Sequence, residues 1–596
     1  MKELMTQKIN ELARFLRTSE TAFIFIFSIL VGLGGGYGAV IFRWMIHQFK
    51  ELFFTGGAQV FSFLGEYYVI IIPAIGGLII GVIIYFFAKE TKGHGVPEVI
   101  QSVALSGGKI RFRVSFIKAL VSSVFIGAGG SVGREGPIVQ IGSSIGSSLG
   151  QIFHMSKDKT RVLVACGAAA GITATFNTPL AGIFFALEVI LRNYSPRHFA
   201  SIVISAVVAT VVSRNYLGDT PAFLTPGYEL KSLWSYPMYV ILGFLAAIVA
   251  YLFTKALYKT EDIFEKIKIP EYIKPAVGGL IIGIIGLYFP QIFGVGYETI
   301  EIALSQSMGL KLALTLLVLK MLATSLSLGS GGSGGVFAPS LFLGAMLGVA
   351  FSYVVQMIMP DVTISPGAYA LLGMGAVFAG AAQAPISAIL ILFEMTGNYK
   401  IILPLITVCI ISAFLVRRWS EFSIYTLKIK RKGININKLT TINLLEDLLV
   451  GDSMSTDVIT LLPNNTIKEA GLQIKKTHHR GFPVINKQHI LVGIITYNDI
   501  NKYLREKKGE THVSEVMSHD LIKCYTDENL RMALEKMGGK DIGRIPVVEY
   551  EKQDTLLGII TRKNIITACN KAIRKRHLEI FEKDSTIGKN ISKLFY

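Results

Sequence analysis

The sequence predicts a polytopic α-helical membrane domain built from two repeated halves, followed by a soluble α/β domain built from a smaller repeated pair. Three observations carry this prediction. Long runs lack charge, a pattern of glycines and prolines recurs 202 residues downstream, and charged residues become frequent after Lys432.

The chain has 596 residues, of which 51% are hydrophobic and only 17% charged. Such a balance is too apolar for an ordinary soluble protein. The segments Thr21 to Val40, Tyr67 to Phe87, Phe199 to Val212, Tyr236 to Phe253, Leu312 to Leu328, Leu341 to Met357 and Ile401 to Val416 are nearly free of charge. With the shorter runs they predict roughly ten or more helices near the ~20 residues needed to cross a bilayer. Ile138 to Ile152 and Leu180 to Leu191 are brief, which predicts tilted or partial helices ending inside the protein.

The formal charge of +18 raises the question of nucleic acid. Its carriers, among them Arg14, Arg17, Arg111, Arg113, Arg417, Arg418, Lys428, Lys430, Arg431 and Lys432, flank hydrophobic segments. The positive-inside tendency accounts for them, argues against a nucleic-acid partner and places both termini in the cytoplasm. Met1 to Glu20 lacks the apolar core and cleavage site of a secretory signal. Cys166, Cys409, Cys524 and Cys569 show neither metal-ligand spacing nor a disulfide framework and read as packing residues.

The repeat is explicit. Pro73-Ala74-Ile75-Gly76-Gly77-Leu78-Ile79-Ile80-Gly81 recurs as Pro275-Ala276-Val277-Gly278-Gly279-Leu280-Ile281-Ile282-Gly283. Gly93-His94-Gly95 answers loosely to Gly294-Val295-Gly296, Lys118 to Lys320, and Gly127-Ala128-Gly129-Gly130-Ser131 to Gly329-Ser330-Gly331-Gly332-Ser333. Pro179-Leu180-Ala181 with Glu188 matches Pro385-Ile386-Ser387 with Glu394, at an offset of 206. Duplicated membrane halves place a substrate site near mid-bilayer, where broken helices converge. Sequence similarity leaves open whether the halves are parallel or inverted.

Two segments, Gly133-Arg134-Glu135-Gly136-Pro137 and Gly335-Val336-Phe337-Ala338-Pro339, end glycine-rich runs and resemble helix N-termini. Two such ends, each with unsatisfied N–H groups and about half a positive charge, stabilise an anion without a full cation. A halide held this way leaves easily, as conduction requires. Glu135 is the anomaly, since an acid in an apolar segment costs roughly 2.5–3.5 kcal/mol to insert. Either it pairs with Arg134, or its carboxylate occupies the anion site and leaves when protonated. Lys118 and Lys320 are equally costly; they raise the local positive potential or snorkel to the interface.

Together with Gly93-His94-Gly95-Val96-Pro97, these motifs resemble the three pore motifs of the CLC family of chloride channels and chloride/proton antiporters, in order and across essentially the whole chain. The resemblance implies an inverted repeat, a homodimer with one pore per subunit, and a protein of the cell membrane that carries chloride and other monovalent anions. It makes Glu135 the gating glutamate and puts His94, Gly133, Arg134, Val336, Phe337 and Tyr425 around the anion, Tyr425 through its hydroxyl. His94 stands where many members have a serine; its ring N–H holds the anion, or the ring turns away and the backbone does so. Val189 occupies the position of the antiporters' internal proton-transfer glutamate. Valine carries no proton, which tilts the expectation to a passive voltage- or pH-gated channel rather than proton antiport. Glu188 and Glu394 are expected to cap helix ends. Members devoted to fluoride depart from these motifs.

The expected domains are a cytoplasmic segment 1–20, a CLC-type membrane domain 21–428 with its repeat at 67–195 and 269–400, a linker 429–449, soluble repeats 450–507 and 508–572, and a basic tail 573–596. Met454-Ser455-Thr456-Asp457 recurs as Met517-Ser518-His519-Asp520, and Gly493-Ile494-Ile495-Thr496 as Gly558-Ile559-Ile560-Thr561. Short strands alternate with helices at Thr466 to Lys476 and Leu530 to Met537. These units resemble a tandem CBS pair, whose family binds adenine nucleotides. By that resemblance Thr496 reaches a phosphate and Asp499 a ribose. In the second copy Thr561 is kept but Asn564 replaces the aspartate, so a structural role stands beside ligand sensing. A CBS-bearing magnesium transporter is disfavoured, because divalent cations want oxygen ligands and the paired segments offer N–H donors. Neither glycine-rich run continues as a phosphate-binding Gly-Lys-Ser/Thr, which argues against an enzyme.

Overall fold

The computed structural model describes residues 20–194, 196–219, 223, 235–305, 308–359, 365–435, 445, 448–477, 479–539, 542–549 and 555–572. The expected N-terminal segment, the basic tail and most of the linker lie outside the described residues. Contacts divide the chain into Met1–Ile436 and Asn437–Tyr596, a boundary inside the expected linker.

The first unit is helical throughout. In chain order its principal helices are α1 (Glu20–Lys50), α2 (Tyr68–Phe87), α3 (Val96–Leu105), α4 (Arg113–Gly127), α5 (Glu135–Ile152), α6 (Lys157–Phe176), α7 (Pro179–Phe185), α8 (Pro196–Leu217) and α9 (Tyr236–Lys266). The second half supplies α10 (Lys274–Tyr288), α11 (Tyr297–Leu304), α12 (Leu310–Gly329), α13 (Phe337–Ile358), α14 (Pro366–Ala382), α15 (Pro385–Thr396), α16 (Ile402–Trp419) and α17 (Thr426–Arg431). Among the described residues seven helices are long and apolar enough to cross a membrane, and five shorter ones are apolar.

The repeat is visible as reciprocal contact. A Cβ on Gly77 would meet the Pro275 carbonyl oxygen at 2.3 Å, and one on Gly279 would meet that of Pro73 at 2.1 Å. Farther along, Gly81 faces Tyr272 and Gly283 faces Ile70. As numbering rises on α2 it falls on α10, so these equivalent helices pack antiparallel about a local two-fold axis. For helices that cross a bilayer, that axis lies in the membrane plane and the halves are inverted.

Glycines also seat α5 against α6 and α13 against α14. Gly142 and Gly167 approach each other's carbonyls, as do Gly344 and Gly373. Gly142 and Gly146 form a small-xxx-small stripe, and so do Gly344 and Gly348, the residue types that let helix backbones meet in lipid. The turns are duplicated too. After α6 and α14 the chain passes through left-handed Asn177 and Gln383, then restarts at Pro179 and Pro385.

Glu188 and Glu394 tie those restarts across the repeat. Glu188 accepts from Ser387 N–H (2.7 Å), Ser387 Oγ (2.6 Å) and Ile386 N–H (3.3 Å), at the start of α15. Glu394 accepts from Leu180 N–H (3.0 Å) and Ala181 N–H (2.8 Å), at the start of α7. Each carboxylate caps the other half's helix, satisfying orphan donors and meeting the positive end of the dipole. Cys166, Cys409 and Cys524 are buried, as expected of packing residues.

The second unit contains two copies of a helix and a strand pair. In the first, α18 (Ile467–Thr477) precedes β1 (Gly481–Ile485), β2 (Leu491–Thr496) and α19 (Tyr497–Arg505). In the second, β3 (Cys524–Tyr525) and α20 (Leu530–Gly539) precede β4 (Arg544–Val548) and β5 (Leu556–Thr561). Both hairpins are antiparallel and bulge at the same place, between Val484 and Ile485 and between Val547 and Val548. The copies exchange edges: Ser455 bridges Ile559 of the second copy, and Ser518 bridges Ile494 of the first.

Gly344→Ala is expected to destabilise the protein by about 1–3 kcal/mol through overpacking against the Gly373 backbone. Gly309→Ala, where a Cβ meets open space, should leave the thermal midpoint of detergent-solubilised protein unchanged.

Candidate functional site

The site is built where equivalent backbones meet. Gly133 N–H donates to Gly335 O at 2.8 Å, and Gly335 N–H returns a bond to Gly133 O at 2.6 Å. These residues are 202 apart, so each pairs with its own counterpart and the local two-fold passes between them. The third motif joins from the side: Gly93 N–H donates to Gly332 O (3.0 Å) and Gly334 N–H to Gly93 O (3.3 Å). A Cβ on Gly136 would lie 2.0 Å from His94 O and 3.0 Å from Gly335 Cα. Only glycine allows the three segments this approach.

The junction fixes the N-termini of α5 and α13 side by side, with Arg134 and Val336 as their capping residues. Among the described residues, the Val336 and Phe337 N–H groups donate to no protein acceptor. Ala338 N–H, one residue on, donates to Glu135 Oε2 at 3.3 Å. Thus a carboxylate from one half sits at the positive end of the other half's helix. Its other oxygen, Oε1, accepts from Tyr297 Oη at 2.5 Å.

The predicted site residues take different parts. Gly133 provides space rather than a donor: its N–H is used in the bridge, and a Cβ there would come within 2.3 Å of Glu135 Oε2. Arg134 lays its guanidinium over the Tyr297 ring, 5.0 Å from the centroid, while Glu135 takes its bonds from Tyr297 and Ala338. Phe337 is buried against Phe378 and Phe176, with centroids at 4.2 and 5.0 Å. Tyr425 is buried in the turn before α17, and that turn is pinned by Tyr258 Oη donating to Ile424 O at 2.6 Å. His94 is 4% exposed and its Nδ1 has no protein partner. It lines a cavity of about 520 Å³ with Gly93, Glu98, Gln140, Lys92, Lys428 and Lys432. Glu98 and Gln140, which also line it, each have one buried oxygen without a protein partner, and Lys428 Nζ bonds Glu98 at 2.7 Å. A cavity so lined has partners for water and for an anion.

The snorkelling alternative for the two lysines is overturned. Lys118 and Lys320 are wholly buried. Lys118 Nζ donates to Thr91 O (2.9 Å) and Gly93 O (2.8 Å), and Lys320 Nζ to Ile292 O and Gly294 O, both at 2.9 Å. Each ammonium thus holds the glycine loop of its own half, which makes the loose match of Gly93-His94-Gly95 to Gly294-Val295-Gly296 a structural one. Val189 is buried in an apolar environment, and the neighbouring Glu188 is committed to its cap.

In the second unit, a cleft of about 1100 Å³ is lined by Asp452, Ser455, Asp457, His479, Arg480, Arg544, Thr561, Lys563, Asn564 and Lys571. Thr561 and Asn564 lie on it, bonded to one another, with Asn564 Nδ2 donating to Ser455 Oγ at 3.1 Å. Thr496 and Asp499 are not among its lining residues; they close a capping box at the start of α19, with Thr496 Oγ1 donating to Asp499 at 2.6 Å. The cleft therefore lies between the two copies, and of the two Thr-x-x-Asp/Asn pairs it takes the one that carries the asparagine. Burial and the neighbouring Arg480 hold the Arg544 guanidinium below its ordinary pKa, so an anion between the two arginines would relieve both.

Sequence reasoning missed Tyr297 and Tyr258. Tyr297 was accessible from the repeat, as the residue directly after Gly294-Val295-Gly296; Tyr258 lies mid-helix with no local signal.

Comparison with known proteins gives the family and the fold. The family model described as voltage gated chloride channel matches residues 76–417, and that for the CBS domain matches 446–506 and 513–571. The chloride channel protein CLC-f of Arabidopsis thaliana is 30% identical over 606 residues, covering 88% of this chain and 76% of that protein. The H(+)/Cl(-) exchange transporter ClcA of Vibrio cholerae is 34% identical over 408 residues, 66% of this chain and 86% of its own. Among solved structures, a slow cyanobacterial Cl-/H+ antiporter superposes with a TM-score of 0.64 at 28% identity, covering 70% of this chain and 99% of its own. A eukaryotic CLC transporter shares the fold, with a TM-score of 0.61 at 22% identity over 92% of this chain and 99% of its own.

Lys320→Met strips the one described donor from each of two buried carbonyls, Ile292 O and Gly294 O, and should cost about 1–3 kcal/mol for each acceptor left unpaired. Lys118→Met should cost less, because Gly93 O keeps the Gly334 N–H and Thr91 O keeps the Ser333 hydroxyl. The drop in thermal midpoint of the two variants, compared side by side, checks the difference.

Proposed function

The chain belongs to the CLC family of chloride channels and chloride/proton exchangers, integral membrane proteins of chloride transport, and from that premise we propose that Glu135 gates its anion path. One observation carries the reading: the Glu135 carboxylate accepts the Ala338 N–H at the N-terminus of the opposite half's helix. An anion and this carboxylate compete for one positive helix end, so the path opens when the carboxylate is protonated or displaced. On entering, chloride meets the N–H groups of Val336 and Phe337, the Tyr425 hydroxyl and His94. Other monovalent anions fit the same donors. A divalent cation does not, since it wants oxygen ligands and the donors here are N–H groups.

We read the transport as passive conduction. Val189 carries no proton, and Glu188 is held by three donors at a helix end, so neither supplies a carboxylate relay between Glu135 and the cavity beside His94. The second reading is chloride/proton exchange, favoured by the likeness to ClcA and to the cyanobacterial antiporter; there the proton would cross by His94 or by water in that cavity. Reconstituted protein in a chloride gradient decides between them. Passive conduction predicts the Nernst potential for chloride at every imposed pH gradient, whereas exchange predicts a reversal potential that moves with pH. For the gate itself, acid should speed chloride flux in the native protein, and Glu135→Gln should be fast at neutral pH with the acid response gone. Unchanged flux in that variant would remove Glu135 from the gate.

The same reading places the protein in the cell membrane as a homodimer with both termini cytoplasmic. It also assigns the cleft of the second unit to an adenine nucleotide. Arg480, Arg544 and Lys563 suit its phosphates and Asp457 its ribose, and Thr561 and Asn564 brace the wall. Titration calorimetry with ATP, ADP and AMP tests this, and Arg544→Ala should weaken whichever binds by about tenfold or more.

A further inference from the structure

The two glycine loops of the inverted halves are backbone equivalents that carry different side chains. Gly93 and Gly95 have φ of 86° and 85°, Gly294 and Gly296 φ of 57° and 87°, and each loop runs directly into a short helix, α3 or α11. The first residue of α3 is Val96, buried and apolar, whereas the first residue of α11 is Tyr297. Nothing in the fold requires that hydroxyl, because its counterpart does without one.

Its surroundings aim it. The Tyr297 ring is met edge-on by Phe223 at 5.5 Å, lies 6.5 Å from Phe176, and carries the Arg134 guanidinium at 5.0 Å. Gly296 before it holds the left-handed turn that starts the helix, and Lys320 secures the Gly294 carbonyl. So fixed, the hydroxyl donates to Glu135 Oε1 at 2.5 Å, a length typical of a charge-assisted O–H···O⁻ bond. The other carboxylate oxygen has a longer bond, 3.3 Å, from Ala338 N–H. The shorter and more directional contact on Glu135 therefore comes from a side chain rather than from the helix end.

We propose that Tyr297 is a latch for the gating carboxylate: its hydroxyl holds Glu135 in the anion path and sets how readily an incoming anion displaces it. This rests on the reading of Glu135 as the gate, and Tyr297 is a positioning residue that acts through it. An anion entering the site must break the phenol bond as well as the backbone one, so the latch slows flux and weakens apparent chloride binding.

The test is a double-mutant cycle in proteoliposomes and in calorimetry. Tyr297→Phe keeps the ring stack and removes one oxygen. In the native background it should raise chloride flux at neutral pH about tenfold and tighten chloride binding. In a Glu135→Ala background the same change should alter both by less than about twofold, since the latch has no acceptor to hold. An equal gain in both backgrounds would mean altered aromatic packing and would overturn the latch. Fast flux from Glu135→Gln with no effect of Tyr297→Phe in the native protein would overturn it while leaving the gate intact. Unchanged flux from Glu135→Gln would remove the gate, and the latch with it.

Discussion

The pair of backbone hydrogen bonds between Gly133 and Gly335 is the constraint on which the rest of the membrane unit depends. Two equivalent residues that bond to each other in both directions do so about a two-fold axis passing between them, and here a Cβ on Gly133 would strike Glu135 Oε2 and one on Gly335 the Gly136 nitrogen. Once that junction is made, the helices beginning at Glu135 and Phe337 must start within a few ångströms of one another, both presenting unpaired N–H groups. Such paired helix starts offer the positive ends that the proposed anion site would use.

The inverted repeat also separates structural from functional residues by a simple rule. Features present in both halves hold the fold: lysines 118 and 320 each bond two carbonyls of a glycine loop, and carboxylates 188 and 394 each cap the opposite half's helix. Buried charge is stable in these places because helix ends and loop carbonyls supply its partners. Features present in one half only do not serve the symmetry. Glu135 corresponds to Phe337, His94 to Val295 and Tyr297 to Val96, and all three polar members border the proposed anion site or the cavity that His94 lines. The second unit obeys a related logic. Its copies exchange edge residues at Ser455 and Ser518, yet the cleft between them is lined by Thr561 and Asn564 and not by Thr496 and Asp499.

Much of this was legible in the sequence. Charge-poor runs marked the long helices because a bilayer imposes length and apolarity together, and the 202-residue register exposed the duplication because the glycines and prolines of close-packed turns tolerate few replacements. Glu135 stood out because an acid in such a segment is costly. Of its two readings, pairing with Arg134 is met only as charge acting on the carboxylate, while the hydrogen bonds come from the longer-range partners Tyr297 and Ala338. Sequence adjacency does not by itself bring two side chains into contact at a helix start, and the guanidinium lies over the face of Tyr297.

What the sequence determined by itself was the set of segments that had to be duplicated, buried and tightly turned, since those follow from composition, spacing and the conformational freedom of glycine. Tertiary structure alone decided the direction of one half relative to the other, because antiparallel packing of Tyr68–Phe87 on Lys274–Tyr288 is a relation between surfaces that no residue pattern encodes. It likewise decided that both lysines lie inward, that Gly133 lends space rather than an N–H, and that Tyr297, 162 residues from Glu135, holds its carboxylate. A hydrogen bond needs two groups within about 3 Å of each other, and for distant residues only the folded chain sets that distance.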